Sequence, residues 1–312
     1  MRDAMRFDGR VAVVTGAGRG IGRAHALALA ARGAKVIVND LGGSVTGQGA
    51  SGDPADQVVA DIVDAGGKAV ASHHDVTDPA AVHSLIDQVV GAFGRLDIVI
   101  ANAGIFYPTT RRFADTSPET VERMWRSHVG GTYNVLRAAW PQMVAQGYGR
   151  LVTTTSQAAI YGQVGAIEYG MAKAGIVGLT LALAQESEAH GIRVNAVAPA
   201  GMTRMLDGIE ADDSVRQALQ QFFRPELVSP TVLWLAHEDC RSNGQVFEAA
   251  AGRTARVVAG EPAGVWADTP EALREHAAQA QSTEGLAHFA HGIDWAGWVI
   301  GQAMQRVSAG QA

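Results

Sequence analysis

Residues Val11 to Gly22 constrain this chain more than any other stretch. An apolar run, Val11 to Thr15, passes into Thr15-Gly16-Ala17-Gly18-Arg19-Gly20-Ile21-Gly22, after which Ala24, Leu27, Ala28 and Ala31 recur at helical spacing. The order is strand, glycine turn, helix. Glycines let the backbone turn tightly and come close to a pyrophosphate, whose charge then meets the amino end of the helix. The spacing departs from G-x-G-x-x-G, so on these residues alone a purely structural turn stays open.

The next stretch supplies a partner for the turn. Gly33 stops the helix, and a second strand over Lys35 to Asp40 ends in Asn39-Asp40, 18 residues beyond Gly22. A carboxylate there accepts hydrogen bonds from an adenosine ribose and repels a 2′-phosphate, which favours NAD over NADP. Arg19 argues the other way, because a cation in the turn can meet that phosphate; Asp40 carries more weight. Leu41 to Asp53 is polar and glycine-rich, longer than an ordinary connection, and falls at the rim of the expected cofactor.

Helices and strands then alternate: Pro54 to Ala65, Ala69 to His74, Pro79 to Phe93, Leu96 to Ala101, one long helix over Ser117 to about Ala145, Arg150 to Thr155, Tyr169 to about His190, and Ile192 to Val197. Such alternation predicts an α/β fold with a parallel sheet and right-handed crossovers. Asp78-Pro79, Ser117-Pro118, Ser229-Pro230 and Thr269-Pro270 each set a capping side chain before a proline, marking helix starts. Asp75 and Asn102-Ala103-Gly104 end strands, so they fall on the carboxyl edge where open α/β sheets bind ligands.

At 312 residues, 47% of them hydrophobic and 18% charged, the chain suits one large α/β domain with an appendage. A net charge of −6 gives no general pull towards nucleic acid or an anionic membrane, so the expected partner is a small molecule. The single Cys240 excludes an internal disulfide and suits a reducing cytoplasm. The charged N-terminus lacks a signal-peptide core, and no later run reaches the ~18 uninterrupted apolar residues of a membrane span. A soluble, cytoplasmic protein is expected.

Tyr169-Gly-Met-Ala-Lys173 places a phenol and an ammonium four residues apart on one helical face. A free phenol has a pKa near 10, so only about one in a thousand is ionised at neutral pH. A unit charge at roughly 4 Å, in an effective dielectric near 20, contributes about 4 kcal/mol, enough to lower that pKa by up to ~3 units. Tyr169 is then a candidate general acid or base. The pair alone is common by chance; its context gives it meaning.

Thr15-Gly16-x-x-x-Gly20-x-Gly22, Asn102-Ala103-Gly104, Ser156 and Tyr169-x-x-x-Lys173, in this order, resemble the short-chain dehydrogenase/reductase superfamily over about residues 7 to 252. The resemblance implies a Rossmann-type doubly wound parallel sheet of about seven strands and nicotinamide-dependent hydride transfer. It implies that Tyr169 exchanges a proton with the substrate oxygen, that Ser156 holds that oxygen, and that Lys173 lowers the tyrosine pKa and binds the nicotinamide ribose. The implied cofactor site comprises Gly16, Arg19, Gly20, Ile21, Gly22, Asp40, Asp75, Val76, Asn102, Ala103, Gly104, Tyr169, Lys173, Pro199 and Thr203. The turn reads Pro199-Ala200-Gly201 where the superfamily usually has Pro-Gly, so Thr203 matches only loosely. The superfamily assembles through its long helices, which implies a homodimer or homotetramer.

Where the superfamily usually carries Asn-x-x-Gly-Thr, this chain reads His128-Val129-Gly130-Gly131-Thr132. His128 is a candidate catalytic residue, offering a backbone carbonyl to a proton relay or relaying protons through its imidazole; a histidine that merely packs is the competing reading. This histidine, the stretch Val38 to Gly43, Arg137-Ala138-Ala139-Trp140, Ile160-Tyr161-Gly162, Val232 to Glu238 and Gly244 to Glu248 resemble the (3R)-hydroxyacyl-CoA dehydrogenase part of the peroxisomal multifunctional enzyme type 2 family. That resemblance implies NAD-dependent oxidation of a 3-hydroxyacyl-CoA, fatty or steroid, by a free-standing dehydrogenase. An alcohol or ketone not bound to CoA is the alternative substrate, and a non-catalytic nucleotide-binding regulator is the alternative of another class.

Residues 1–252 are thus expected to form the NAD-binding catalytic domain, with a substrate lid near 201–228. Met202, Met205, Leu206, Phe222 and Phe223 are candidates for an acyl tunnel or for core packing; Arg111, Arg112, Arg204 and Arg224 are candidates for CoA phosphates. Residues 253–312 form a C-terminal extension, with a strand near Arg256 to Ala259 and a helix from Pro270 to about Gln281, packed on the same domain or on a neighbouring subunit. His288 and His291 lack a nearby carboxylate or cysteine, so no metal is expected.

Overall fold

The computed structural model describes residues 4–107, 112–201 and 212–308. They divide into two compact units, Met1–Arg256 and Val257–Ala312.

The larger unit opens with β1 (Val11–Thr15), α1 (Gly20–Ala30), β2 (Lys35–Asn39), α2 (Asp53–Asp64), β3 (Lys68–Ser72), α3 (Pro79–Phe93) and β4 (Ile98–Ala101). It continues through α4 (Pro118–Trp125), a single π turn over Arg126–Gly130, α5 (Gly131–Gln146), β5 (Gly149–Thr154), α6 (Gln157–Tyr161), α7 (Ile167–Ser187) and β6 (Ile192–Ala200). After α8 (Asp213–Phe222) and α9 (Ser229–Ala236) come β7 (Gln245–Ala250) and β8 (Arg253–Val257). The sheet order is β3-β2-β1-β4-β5-β6-β7-β8. The first seven strands pair in parallel, Val14 beside Val38 and Val13 beside Val99, for example.

The strand order reverses between β1 and β4, which opens a crevice at their carboxyl ends. Strand residues alternate between two cores. Ala12, Val14, Val36 and Val38 pack with Leu29, Val58, Ile62 and Val232 of α1, α2 and α9. Val11, Val13, Ile37 and Val99 pack with Leu85, Val89, Leu136 and Met143 of α3 and α5. Buried on both faces, the strands read as continuous apolar runs.

The sheet has eight strands rather than about seven. Ala251 and Gly252, both at positive φ, form the two-residue turn that returns the chain as β8. The long helix expected over Ser117 to Ala145 is interrupted by the π turn at Arg126–Gly130. The adjacent Gly130-Gly131 pair, weak in helix propensity, suits the irregularity. Asp78, Ser117 and Thr269 cap their helices as expected. Ser229 does not: its hydroxyl instead meets His25 Nδ1 at 2.9 Å. Helix Ile167–His190 has the length and hydropathy of a membrane span, but it carries Glu168 and Lys173 and buries Ala172, Ile176 and Ala184.

The smaller unit contains α10 (Pro270–Glu275), α11 (Ala277–Ala280) and α12 (Gly292–Ser308), so the helix expected from Pro270 breaks at His276. Internally, Trp295 Nε1 donates to Glu261 at 2.6 Å, Phe289 packs on Trp298, and His288 Nδ1 lies 2.8 Å from the Ala259 carbonyl oxygen. Among the described residues, no group of three or more His, Cys, Asp or Glu side chains gathers within reach of a metal ion.

Candidate active site

The site begins where β1 ends. Gly16 and Gly20 take φ of +63° and +54°, the left-handed region that a side chain disfavours. A Cβ on Gly22 would stand 2.1 Å from the Gly16 carbonyl oxygen, so the turn admits none there. Asn102 Nδ2 donates to the carbonyls of Thr15 and Gly16 at 3.0 and 3.2 Å. Thr15 Oγ1 accepts from the Asn102 and Ala103 N–H groups, both at 3.1 Å. Asn102 therefore braces the turn from β4, leaving the amino end of α1 facing the crevice as an anion seat.

Asp40 follows β2. Its Oδ2 accepts from Gly18 N–H at 2.8 Å and its Oδ1 from Gly42 N–H at 2.7 Å. Each oxygen keeps a further lone pair, so the carboxylate ties the glycine turn to the next loop and still offers acceptors to ribose hydroxyls. Asp75 Oδ1 accepts from Thr77 N–H at 2.8 Å. Arg19 is exposed at the amino end of α1.

At the other end of the crevice, Ser156 ends the β5 segment and caps α6, its Oγ accepting from Ala158 N–H at 3.2 Å. Tyr169 and Lys173 lie on the first turns of α7. Lys173 is only 4% exposed, its Nζ donates to the Thr154 carbonyl at 2.8 Å, and it stands 5.6 Å from the Tyr169 ring centroid. Burial pulls the Lys173 pKa down to about 7, so its charge is only partly present at neutral pH. Burial also pushes the Tyr169 phenol above its ordinary range, while a hydrogen bond with Ser156 works the other way. The net shift of the phenol is thus upward, set by its burial. Desolvation disfavours both phenolate and ammonium.

His128 sits in the π turn, 1% exposed. Its Nε2 lies 2.7 Å from the Ile105 carbonyl oxygen, which makes Nε2 the N–H donor. Its Nδ1 is buried without a partner, and burial, reinforced by Lys173, holds its pKa well below the ordinary imidazole value. The ring meets the Tyr169 ring edge-on with centroids 5.5 Å apart.

One cavity of about 800 Å³ gathers Gly16, Arg19, Gly20, Ile21, Gly22, Asp40, Asp75, Val76, Asn102, Ala103, Gly104, His128, Ser156, Tyr169, Lys173 and Pro199. Thr203 lies outside the described residues, as do Met202, Met205, Leu206, Arg111 and Arg204. Phe223 lines the cavity; Phe222, Arg112 and Arg224 do not. Sequence reasoning misses Ile105, Phe106, Arg123 and Leu219 in the wall. Phe106, which packs edge-on against Tyr169 at 5.2 Å, carries no motif that would have marked it.

The family model for short chain dehydrogenases matches residues 10–214. The chain is 46% identical over 252 residues to the mouse peroxisomal multifunctional enzyme type 2, a match covering 81% of this chain and 33% of that protein. It thus spans about a third of that relative's length. It is 38% identical over 251 residues to the hydroxyacyl-CoA dehydrogenase ChsB1 of Mycobacterium tuberculosis, covering 77% of each. A solved 7α-hydroxysteroid dehydrogenase complexed with NADH and 7-oxo glycochenodeoxycholic acid superposes with a TM-score of 0.70 at 29% identity, covering 79% of this chain and 95% of that one.

Proposed function

The chain belongs to the short chain dehydrogenase family, and on that premise we propose that it oxidises a 3-hydroxyacyl-CoA to the 3-oxoacyl-CoA with NAD, using Tyr169 as general base. That it is an oxidoreductase follows from the family. The finer reading rests on one observation: a single cavity joins the Asp40 carboxylate and glycine turn at one end to Ser156, Tyr169 and Lys173 at the other.

The residues present fit a dinucleotide. Gly16, Gly20 and Gly22 of the turn line the same cavity as Asp40, the amino end of α1 suits a pyrophosphate, and Asp40 offers acceptors to ribose hydroxyls while disfavouring a 2′-phosphate. Asp75 and Val76 border the adenosine side. When bound, the nicotinamide supplies the hydride acceptor. Tyr169 takes the substrate hydroxyl proton, Ser156 hydrogen-bonds the oxygen as it becomes a carbonyl, and Lys173 in its protonated form favours the phenolate.

The 3-hydroxyacyl-CoA substrate is supported by likeness to a protein named for hydroxyacyl-CoA dehydrogenation. A free steroid or other alcohol is the second reading, favoured by likeness to a hydroxysteroid dehydrogenase and by an apolar wall of Phe106, Leu219 and Phe223. Exposed Tyr133 on α5 and Met171 and Leu181 on α7 support assembly as a homodimer or homotetramer through these helices. A lone buried Cys240 suits any reducing compartment; we assign the cytoplasm, although the mouse relative's name says peroxisomal.

The test is NADH formation by the purified protein with NAD or NADP, supplied with (3R)- and (3S)-hydroxyacyl-CoAs, a steroid side-chain thioester and free alcohols. NAD-linked turnover confined to thioesters is expected. Turnover of free alcohols alone would replace the substrate assignment with the second reading.

A further inference from the structure

Between β2 and α2 the chain closes on itself instead of simply crossing. Ser51 N–H donates to the Leu41 carbonyl at 3.0 Å, making a neck, and Gly47 N–H donates to the Ser44 carbonyl at 2.9 Å, making a tip. A compact loop with joined ends holds its own shape. The neck is anchored on the ribose side, where Asp40 accepts from Gly42 N–H. The tip is anchored elsewhere: Phe106 N–H donates to the Val45 carbonyl at 2.8 Å, and Arg123 of α4 donates to the Thr46 carbonyl at 3.0 Å. Gly47 lies so close to Ile105 that a Cβ there would stand 2.7 Å from its Cγ2.

These two anchors stand on opposite sides of the glycine turn. Asp40 follows β2 and Phe106 follows β4, two strands that flank β1 and lie about 10 Å from each other across it. The loop therefore spans the carboxyl edge above the turn that ends β1, and Leu41, Gly43, Ser44 and Gly47 form part of the cavity wall. A dinucleotide seated on that turn and on Asp40 would share this cavity with the loop. The far anchor also reaches the chemistry. The Phe106 backbone holds the tip while its ring packs on Tyr169, and the neighbouring Ile105 carbonyl accepts from His128, whose ring packs on the same tyrosine.

We propose that Leu41–Ser51 is a strap that retains the dinucleotide and, through Phe106, sets the alignment of Tyr169, with Arg123 as its latch. The proposal rests on the cofactor reading above. Arg123 and Phe106 are positioning residues. The latch is built to open: Arg123 is exposed, and two hydrogen bonds to carbonyls hold the tip, so the strap parts without disturbing either core.

The experiment is stopped-flow displacement of NADH from the wild-type holoenzyme and from four variants, with thermal midpoints measured in parallel. Arg123→Ala releases NADH about three- to tenfold faster, the scale of one lost solvent-exposed hydrogen bond, with an unchanged midpoint. Arg123→Lys, which can still reach a carbonyl, restores release to within about twofold. Removal of residues 45–48, which deletes the tip, speeds release at least as much as Arg123→Ala. Phe106→Ala keeps the backbone latch, so it lowers kcat about tenfold with NADH release near the wild-type rate. Wild-type release from both Arg123→Ala and the tip deletion would overturn the strap while leaving the cofactor reading intact. A wild-type protein that binds no NADH would overturn the cofactor reading and the strap with it.

Discussion

Lys173 Nζ donates to the Thr154 carbonyl at 2.8 Å, so the ammonium is held against the end of β5, in the interior, rather than against water. Burial lowers its pKa from the ordinary 10.5 to about 7. Between those values the unfolded chain binds the proton and the native chain releases it. Native stability therefore gains with rising pH across that window, by up to about 1.4 kcal/mol per unit, and the burial cost is fully present below pH 7. Lys173→Met should show its greatest stability relative to wild type at pH 6, with the gap shrinking by pH 9. Urea midpoints at pH 6, 8 and 9 check this; a gap independent of pH would contradict the burial argument.

Asp40 accepts from two backbone N–H groups and lines the cavity beside the glycine turn. Asp40→Ser removes the charge that repels a 2′-phosphate and one support of the glycine turn. The ratio of kcat/KM for NAD over NADP should fall by one to two orders of magnitude, roughly 1.4 to 3 kcal/mol. Steady-state kinetics with both cofactors measures it, and an unchanged ratio would remove Asp40 from cofactor selection.

Gly104 leaves no room for a side chain: a Cβ there would lie 2.2 Å from His128 Cε1. The histidine ring is buried and held by Ile105, so it has little freedom to yield. Gly104→Ala should cost about 1–3 kcal/mol. Gly104→Ala/His128→Ala should recover part of it, with a coupling of at least about 1 kcal/mol in a double-mutant cycle. Additive losses would show that the ring is not what excludes the methyl group.

The parts of the fold legible in the sequence are those with local signals. β1 and β2 are short apolar runs ending in a glycine turn or an acidic residue, and α3 runs from the Asp78 cap to Gly94, which takes the left-handed conformation. The spacing of Tyr169 and Lys173 encodes a single helical face, so the chemical centre is legible too. The direction of the Tyr169 shift is not, because the cost of burying a phenolate depends on the packing of residues far away in sequence. Ser229 reads as a cap, yet His25, 204 residues away, takes its hydroxyl. Arg123 is invisible for the same reason as Ser229: its partner is a backbone carbonyl 77 residues away.

The central claim is that Tyr169 accepts the substrate proton. NADH formation by Tyr169→Phe, measured beside NADH binding by the same variant, tests it most directly. Loss of about 10²- to 10⁴-fold in kcat with cofactor binding near the wild-type level is the predicted result. A Tyr169→Phe enzyme that keeps its kcat within a few-fold of wild type would contradict the account.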